Sequence, residues 1–467
     1  MFDLIIRGAT VTDPLSGLNA VSDIAVDGNQ IVELAPEISG KALREICAQG
    51  LVAQPGIIDT HLHLAPHPLS SAMVAQAGVC TCIEMAGTPE KVFADLHRHS
   101  AGINVAVLNA FIPGGNIRSN DPDMAEIESF IAASLEAGAL GVKILGGHFP
   151  LTPEASARVI EAAHKHNVYV AWHAGSTRFG SNLEGCRESF ELAQGRPFHL
   201  AHVNAYCRGR IMNEIDECRE VASLLEAHPE VVTESYLSAR NGCPLALDDQ
   251  GRPRSKIVSA QLAHFGFTQD REGIISAIKA QVLAVITETE NGLGLVTGER
   301  GVALFEAGLV SDGSFDRVNP LLSRVFFACA RRRDGTFLVD AISTDGGAIP
   351  RNVIVELGTE LIDFAALTRL EFAAKTSLLP ARMLNLTSKG ALQPGFDADI
   401  TIYDPVTHRT VHTLCDGRLI YSAGRLNPSR STVLTTLSGM QSVHNSHLWA
   451  CPIRGGVAKP DRRLTPQ

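Results

Sequence analysis

The sequence lacks paired cysteines, a long apolar run and an excess of positive charge. Its ten cysteines are scattered without a CxxC pair, which excludes the disulfide framework of a small secreted domain. They are interpreted as buried core thiols. No stretch of about 18 apolar residues occurs, so no membrane span is predicted. Residues Met1 to Thr10 lack the features of a signal peptide, and we expect a protein of the reducing cytoplasm.

The charge and the hydrophobic content define the broad class of protein. The formal net charge is −10, so the average surface field repels polyanions and argues against a nucleic-acid partner. Hydrophobic residues make up 45% and charged residues 19% of the chain, which is typical of a folded globular protein. At roughly 150 residues per domain, 467 residues allow about three domains or one large barrel with an accessory domain.

The central part of the chain alternates short β-rich runs with helical patterns, which is typical of a parallel α/β fold. Among the intervening helices, Asp123 to Ala137 and Pro153 to Lys165 each place apolar residues along one face. Eight strands with crossover helices predict a (β/α)8 barrel with its reactive residues at the carboxyl ends of the strands. The predicted strands are Ile57 to His63, Val79 to Met85, Ile103 to Asn109, Val142 to Leu145, Val168 to His173, Phe198 to His202, Val231 to Tyr236 and Phe337 to Thr344.

Short strands with turn signals also occur near both ends of the chain, and we predict that they form one small β-sandwich domain. The expected small domain consists of residues 1–54 and 388–440, and residues 441–467 form a C-terminal tail. The barrel spans residues 55–387. It carries an irregular insertion at 238–333, including a helical part from Glu272 to Ile286, which we expect to cover the barrel mouth.

Two of the predicted strands carry side chains suited to a metal site. Alternation along a strand turns His61 and His63 to the same side, although a lone HxH is also found in structural strand ends. Lys143 lies in the apolar strand Gly141 to Leu145, where burial lowers the pKa of an amine and keeps it neutral. Such an amine reacts with carbon dioxide to give a carbamate that can bridge two divalent ions; the alternative is a salt-bridged lysine.

Further candidate ligands follow other strands at the same predicted edge. His173 and His202 each end an apolar strand, and Asp345 follows the last one, before a Gly-Gly turn. Imidazole and carboxylate ligands suit zinc, with manganese or iron as substitutes. Two metal ions would activate a bridging water as hydroxide and polarise a carbonyl. Asp345 could then act as general base and general acid, and hydrolysis of an amide or ureide would follow.

Several residues near these strand ends are candidates for substrate binding. Arg178 and Arg351 could pair with a substrate carboxylate, although both could equally face solvent. Asn204 and Tyr206 are candidate carbonyl or oxyanion contacts, and His148 follows Lys143 closely enough to touch a substrate.

Together these residues resemble the amidohydrolase superfamily. The resemblance rests on Pro55 to His63 (PGIIDTHLH) and on Lys389 to Asp399 (KGALQPGFDAD), and it covers nearly the whole chain. It implies a metal-bearing (β/α)8 barrel, a small β domain from both chain ends, and a binuclear ligand set with Lys143 as the carboxylated bridge. The positions that match this set are His61, His63, Lys143, His173, His202 and Asp345.

The resemblance leaves the branch of the superfamily open. The segments around Lys143 and His202 resemble dihydroorotases, hydantoinases and isoaspartyl dipeptidase, whereas the long insertion resembles N-acyl-D-amino-acid deacylases. Those deacylases use a cysteine after the second strand, where this chain has Ala86-Gly87. We therefore favour a lysine-bridged hydrolase of cyclic amides, ureides or N-acyl amino acids. The alternatives are an N-acyl-D-amino-acid deacylase, a heterocycle deaminase and a non-catalytic scaffold. We expect a homo-oligomer that acts on a small molecule.

Overall fold

The computed structural model describes residues 1–64, 67–290 and 292–464. The strands, in chain order, are β1 Phe2–Asp13, β2 Leu18–Asp27, β3 Gln30–Ala35, β4 Ala42–Cys47, β5 Val52–Pro55, β6 Ile57–His63, β7 Val79–Glu84, β8 Asn104–Ala110, β9 Gly141–Leu145, β10 Tyr169–His173, β11 His199–Leu200, β12 Val232–Tyr236, β13 Cys243–Pro244, β14 Leu283–Thr289, β15 Gly292–Val296, β16 Asp312–Phe315, β17 Ala341–Ser343, β18 Gly346–Gly347, β19 Ile400–Asp404, β20 Arg409–Cys415, β21 Arg418–Ser422, β22 Arg425–Leu426, β23 Thr432–Thr435 and β24 Trp449–Pro452.

The α-helices, in the same order, are α1 Ser70–Gln76, α2 Pro89–His99, α3 Met124–Glu136, α4 Pro153–Lys165, α5 Leu183–Ala193, α6 Glu214–Ala227, α7 Lys256–His264, α8 Arg271–Lys279, α9 Gly298–Glu306, α10 Leu321–Cys329, α11 Ile354–Asp363, α12 Arg369–Ala373, α13 Leu379–Met383 and α14 Met440–Asn445. A π-helical segment, Ala374–Leu378, joins α12 to α13. Among the described residues, no helix is both long and apolar enough to cross a membrane.

Parallel strands form a ring at the centre of the chain. They run in the order β17, β12, β11, β10, β9, β8, β7, β6 and β18. Since β17 and β18 are the two halves of one chain segment, their pairing with β12 and β6 closes the ring. This arrangement confirms the predicted barrel, with its helices in the crossover connections.

The last strand of the ring differs from its prediction, which was one strand over Phe337 to Thr344. The structure instead has two short strands, 341–343 and 346–347, interrupted at Asp345. Asp345 adopts a left-handed conformation with φ 51°, which breaks the extended backbone. The interruption places the carboxylate of Asp345 at the carboxyl edge of the ring.

Two predicted helices form close to their predicted bounds because their caps are encoded locally. The side chain of Asp123 accepts a hydrogen bond from the Glu126 N–H at the start of α3, and Thr152 caps α4 in the same way ahead of Pro153. The helix predicted over Glu272 to Ile286 is only partly confirmed. It ends at Lys279, and its second half belongs to β14, where consecutive apolar residues enter a sheet.

The two chain ends meet in a second, separate sheet. Its strand order is β22, β21, β20, β19, β5, β1, β2 and β3, with β4 paired to β1. The junction is the antiparallel pair of β19 and β5, in which Ile400 lies opposite Pro55. Because β5 leads directly into β6, this sheet anchors the start of the ring. The domain boundaries themselves stay a prediction.

The insertion builds its own small sheet and core. Strands β13, β16, β14 and β15 form a four-stranded sheet, against which α7, α8 and α9 contribute apolar side chains such as Val258, Ile274 and Val302. This sheet stands over the carboxyl edge of the ring, since residues of both line the same cavity.

A buried ionic cluster forms where the end sheet meets the ring. The Nζ atom of Lys389 lies 3.0 Å from Asp397, 2.7 Å from Asp399 and 3.1 Å from Asp416, and Lys389 is 6% exposed. Burial opposes its charge, but Asp399 and Asp416 raise the pKa of Lys389 well above its ordinary value. The ammonium group therefore stays charged and neutralises the carboxylates around it.

Lys389→Met is expected to lower the free energy of unfolding by about 3–5 kcal/mol, because it leaves buried carboxylates without their cation. Urea denaturation followed by circular dichroism measures this change. Lys165→Met is the control, since Lys165 pairs with Glu128 at the surface and is 63% exposed; it should cost less than about 1 kcal/mol. Equal midpoints for the two variants would contradict the expectation.

Candidate active site

A cavity of about 750 Å³ opens at the carboxyl edge of the ring, beneath the insertion. Histidine, lysine and aspartate side chains from the strand ends form its floor, and residues of the insertion form much of its wall. The predicted ligands that line it are His63, Lys143, His173, His202 and Asp345.

β6 supplies the first two histidines of this floor. His61 is 1% exposed, and its ring centroid lies 5.4 Å from that of His63. Leu62 between them points away into the hydrophobic core, as strand alternation predicts. Burial lowers the pKa of His61 to about 4, so its imidazole is neutral, the form that can ligate a metal.

Lys143 on β9 lies at the centre of the group. It is fully buried, and its Nζ atom is 3.0 Å from Nε2 of His61. Burial lowers the pKa of Lys143 to about 8, which raises the fraction of neutral amine at physiological pH. The position therefore suits the carboxylation proposed for this residue.

His173 is the last residue of β10, and His202 lies two residues after the end of β11. Nε2 of His202 lies 3.1 Å from Nδ1 of His173, and the His202 ring stacks on that of His61 with centroids 4.9 Å apart. Burial lowers the pKa of both histidines well below the ordinary value. Two neutral imidazoles in such close contact leave lone pairs that a shared cation would satisfy.

Asp345 completes the group from the interruption between β17 and β18. Its Oδ1 atom is 3.0 Å from Nε2 of His63 and 3.5 Å from Nε2 of His61. Its Oδ2 atom forms an ion pair with Arg351. Burial opposes ionisation, but Arg351 and the histidines hold the pKa of Asp345 well below its usual range. The aspartate is therefore a carboxylate directed at both histidines of β6.

The donor set fits divalent metal ions. One ligand atom each from His61, His63 and Asp345 lies within 4.8 Å of the others. The buried Nδ1 of His202 has no hydrogen-bond partner, so this ring nitrogen is left to coordinate a metal ion. Imidazole nitrogens beside a carboxylate are typical ligands of zinc and of neighbouring first-row metals.

Two of the predicted substrate-binding residues reach the cavity. His148 lines it, with its ring centroid 5.4 Å from that of His173. Arg351 also lines it, but its guanidinium is only 3% exposed and is held by Asp345, by the Arg240 carbonyl and against the Tyr236 ring. Arg351 therefore orients Asp345 and has little freedom to bind a substrate carboxylate.

The structure does not bring Arg178, Asn204 and Tyr206 to the cavity lining. Arg178 is 57% exposed and faces Glu188 and Glu154. The amide of Asn204 bonds the backbone of Tyr236 at both of its ends. The hydroxyl of Tyr206 accepts a hydrogen bond from the Ala174 N–H. These two buried residues join neighbouring strand ends and do not line the cavity.

Sequence reasoning missed the carboxylates that support the histidines. Glu234 on β12 bonds His61, and Glu84 on β7 lies 3.8 Å from Nδ1 of His63 and accepts backbone N–H groups of the following loop. Asp59 bonds the backbone and hydroxyl of Thr344 beside Asp345. The available signal was a charged residue inside a predicted strand, as for Lys143.

Known proteins with similar sequences include a dihydroorotase and an allantoinase. No family model matches the chain. A dihydroorotase of Streptococcus pneumoniae is 22% identical, over 90% of this chain and all of its own length. An allantoinase of Deinococcus radiodurans is 23% identical, over 98% of this chain and 99% of its own.

Solved structures share the fold across nearly the whole chain. An N-acyl-D-glutamate deacylase of Bordetella bronchiseptica, in complex with zinc and a phosphonate inhibitor, has a TM-score of 0.65 at 15% identity, covering 92% of this chain and 99% of its own. A D-aminoacylase described as defining a subset of amidohydrolases has a TM-score of 0.63 at 17% identity, with coverages of 92% and 98%. A dihydropyrimidinase of Brevibacillus agri has a TM-score of 0.58 at 15% identity, covering 91% of this chain and 96% of its own.

The dihydroorotase and the allantoinase are hydrolases that act on carbon–nitrogen bonds other than peptide bonds, and this chain is similar to both over nearly its whole length. These similarities indicate the amidohydrolase superfamily.

Proposed function

We propose that the protein hydrolyses the ring amide of a cyclic amide or ureide, such as a dihydropyrimidine or a hydantoin. The observation that carries this proposal is the convergence of six side chains from five strands of the ring on one buried floor. They are His61, His63, Lys143, His173, His202 and Asp345. These residues would hold two divalent ions, most simply zinc, with Lys143 carboxylated between them.

The bound ions would supply an activated water and polarise the scissile carbonyl. The residues of the chain determine the rest of the chemistry. The Asp345 carboxylate is placed to accept a proton from the attacking water and to deliver it to the leaving nitrogen. Arg351 holds Oδ2 of Asp345, so that Oδ1 stays directed at the histidines. The insertion covers the floor and restricts access of bulk water.

A second candidate is the hydrolysis of N-acyl amino acids. It is favoured by the apolar wall that the insertion adds to the cavity, which can accommodate an acyl chain. This wall includes Ile286, Leu293, Leu309 and Val310. The position after β7 argues against it, because Ala86 lines the cavity where the resembling deacylases use a cysteine.

A substrate panel with metal removal tests the proposal. We expect the purified protein to hydrolyse a dihydropyrimidine or a hydantoin faster than an N-acyl amino acid. Chelation is expected to reduce that activity to background, because the water and the carbonyl lose their activation. Re-addition of zinc, manganese or iron with bicarbonate should restore it. Ring opening is followed by ultraviolet absorbance, and metal content by mass spectrometry.

Two results would contradict this assignment. Full activity after complete chelation would exclude metal-assisted hydrolysis. Turnover of N-acyl amino acids alone, with no ring opening in the panel, would transfer the assignment to the second candidate. Release of ammonia from an aminoheterocycle, measured in the same panel, would identify a deaminase instead.

A further inference from the structure

The carboxylate of Glu234 connects groups that belong to two other strands, β6 and β11, and to the residues directly after β11. It lies on β12 and is fully buried. Its Oε1 atom accepts hydrogen bonds from Nδ1 of His61 and from the backbone N–H of His202, each at 2.7 Å. Its Oε2 atom bonds Nε2 of His199. A single side chain therefore contacts both the β6 histidine and the backbone of the β11 histidine of the candidate metal centre.

The contact with His61 fixes which of its nitrogens is free. An ionised carboxylate only accepts hydrogen bonds, so Nδ1 of His61 must carry the proton. The Nε2 lone pair then points toward Lys143 at 3.0 Å and toward Asp345 at 3.5 Å. This is the tautomer that a metal ligand of this orientation needs.

The contact with His202 acts on the backbone. His202 has φ 36° and ψ 62°, the left-handed conformation that residues with a side chain rarely adopt. Such a conformation persists only where its surroundings hold it. The hydrogen bond from the His202 N–H to Glu234 is one such restraint, and it fixes where the imidazole of His202 enters the floor.

His199 extends this network away from the cavity. Nδ1 of His199 lies 2.9 Å from the hydroxyl of Tyr169, and both residues are buried. The Tyr169 hydroxyl can donate to Nδ1, which leaves Nε2 of His199 protonated toward Glu234. Tyr169, His199 and Glu234 thus form a continuous chain of hydrogen bonds that ends at His61.

We propose that Glu234 is the positioning residue of the metal centre, setting the tautomer of His61 and the backbone of His202 through one carboxylate. This inference rests on the proposed metal centre. Its consequence is that metal affinity depends on a residue that touches neither the metal nor the substrate. Outer partners of this kind change metal affinity by about 10–100-fold when they are replaced.

The test measures metal binding without any activity assay. Glu234→Gln is loaded with zinc and titrated against a competing chelator, and its cobalt-substituted form is compared with wild type by visible absorbance. We expect zinc binding about 10–100-fold weaker than in wild type, with altered cobalt bands. The matched control is Glu217→Gln. Glu217 is equally buried and accepts N–H bonds from Gly209, Ile211 and Met212, away from the cavity.

Each outcome decides the inference. Zinc affinity of Glu234→Gln within twofold of wild type, or an equal loss in Glu217→Gln, would overturn it. If Glu234→Gln does not fold, Tyr169→Phe replaces it: weaker zinc binding supports the inference, and unchanged binding overturns it. Wild-type protein that binds no metal would instead overturn the proposed function on which the inference rests.

Discussion

Replacing Asp345 by asparagine is expected to lower turnover by about 10²–10⁴-fold, the range for loss of a positioned general acid–base group. The carboxylate directs Oδ1 at the two histidines of β6 and is kept ionised by Arg351. Asparagine has nearly the same shape but cannot accept a proton. The loss should therefore appear in kcat, measured by ring opening of the best substrate in the panel.

Asp312→Asn is the matched control for this variant. Asp312 also lines the cavity, but it lies on β16 of the insertion and is exposed. Its replacement should leave kcat within about twofold, as expected for a surface substitution that costs no buried contact. A kcat for Asp345→Asn above one tenth of wild type would show that another group moves the proton.

The second large effect is expected for Lys143→Ala. Removing this side chain would delete the proposed bridge between the ions and leave a cavity between His61 and the other candidate ligands. We expect the protein to retain fewer metal ions after dialysis, with affinity at least about 100-fold weaker, the upper end for changes outside the ligand shell itself. Activity should fall to background. Metal content and turnover measured on the same sample give both values.

Adding a small carboxylate distinguishes loss of the proposed bridge from a general structural defect in Lys143→Ala. A short carboxylate such as propionate fits the space left by the side chain and offers the two oxygens of the missing carbamate, so it should restore part of the activity of Lys143→Ala. Activity of this variant equal to that of wild type, without added carboxylate, would remove Lys143 from the mechanism.

The bridge also predicts a pH dependence in the wild type. Carbon dioxide reacts with the neutral amine and releases one proton. The pKa of Lys143 is lowered to about 8 by burial, so the reactive fraction rises as pH increases through this value. At a fixed concentration of dissolved carbon dioxide, activation of chelated protein by zinc should be faster at pH 8.5 than at pH 6.5. A rate independent of pH across this window would argue against carboxylation.

Much of the candidate site was predictable because strand signals are local. Alternation on β6 turns His61 and His63 to one side, and β9 and β10 end where their apolar runs end. Since the carboxyl ends of parallel strands share one edge, the sequence also predicted that these residues meet. The caps of α3 and α4 were predictable for the same reason, as each depends on residues within one turn.

The partners of these residues were not predictable. Arg351 was a candidate for binding substrate, and only the structure shows its guanidinium engaged by Asp345 and Arg240. Likewise, only the structure shows that His199 bonds the carboxylate of Glu234. Such pairings depend on strand register and side-chain reach across the ring, which a one-dimensional pattern does not contain.

The sequence by itself determined the barrel class and most of the strands that carry the candidate ligands, because these follow from periodicity and residue chemistry along short segments. Only the tertiary structure decided that the last strand breaks at Asp345, that β23 and β24 join the ring sheet through β8, and that Glu234 lies behind His61. Each of these results from contacts between segments far apart in the chain, which form only when the ring closes.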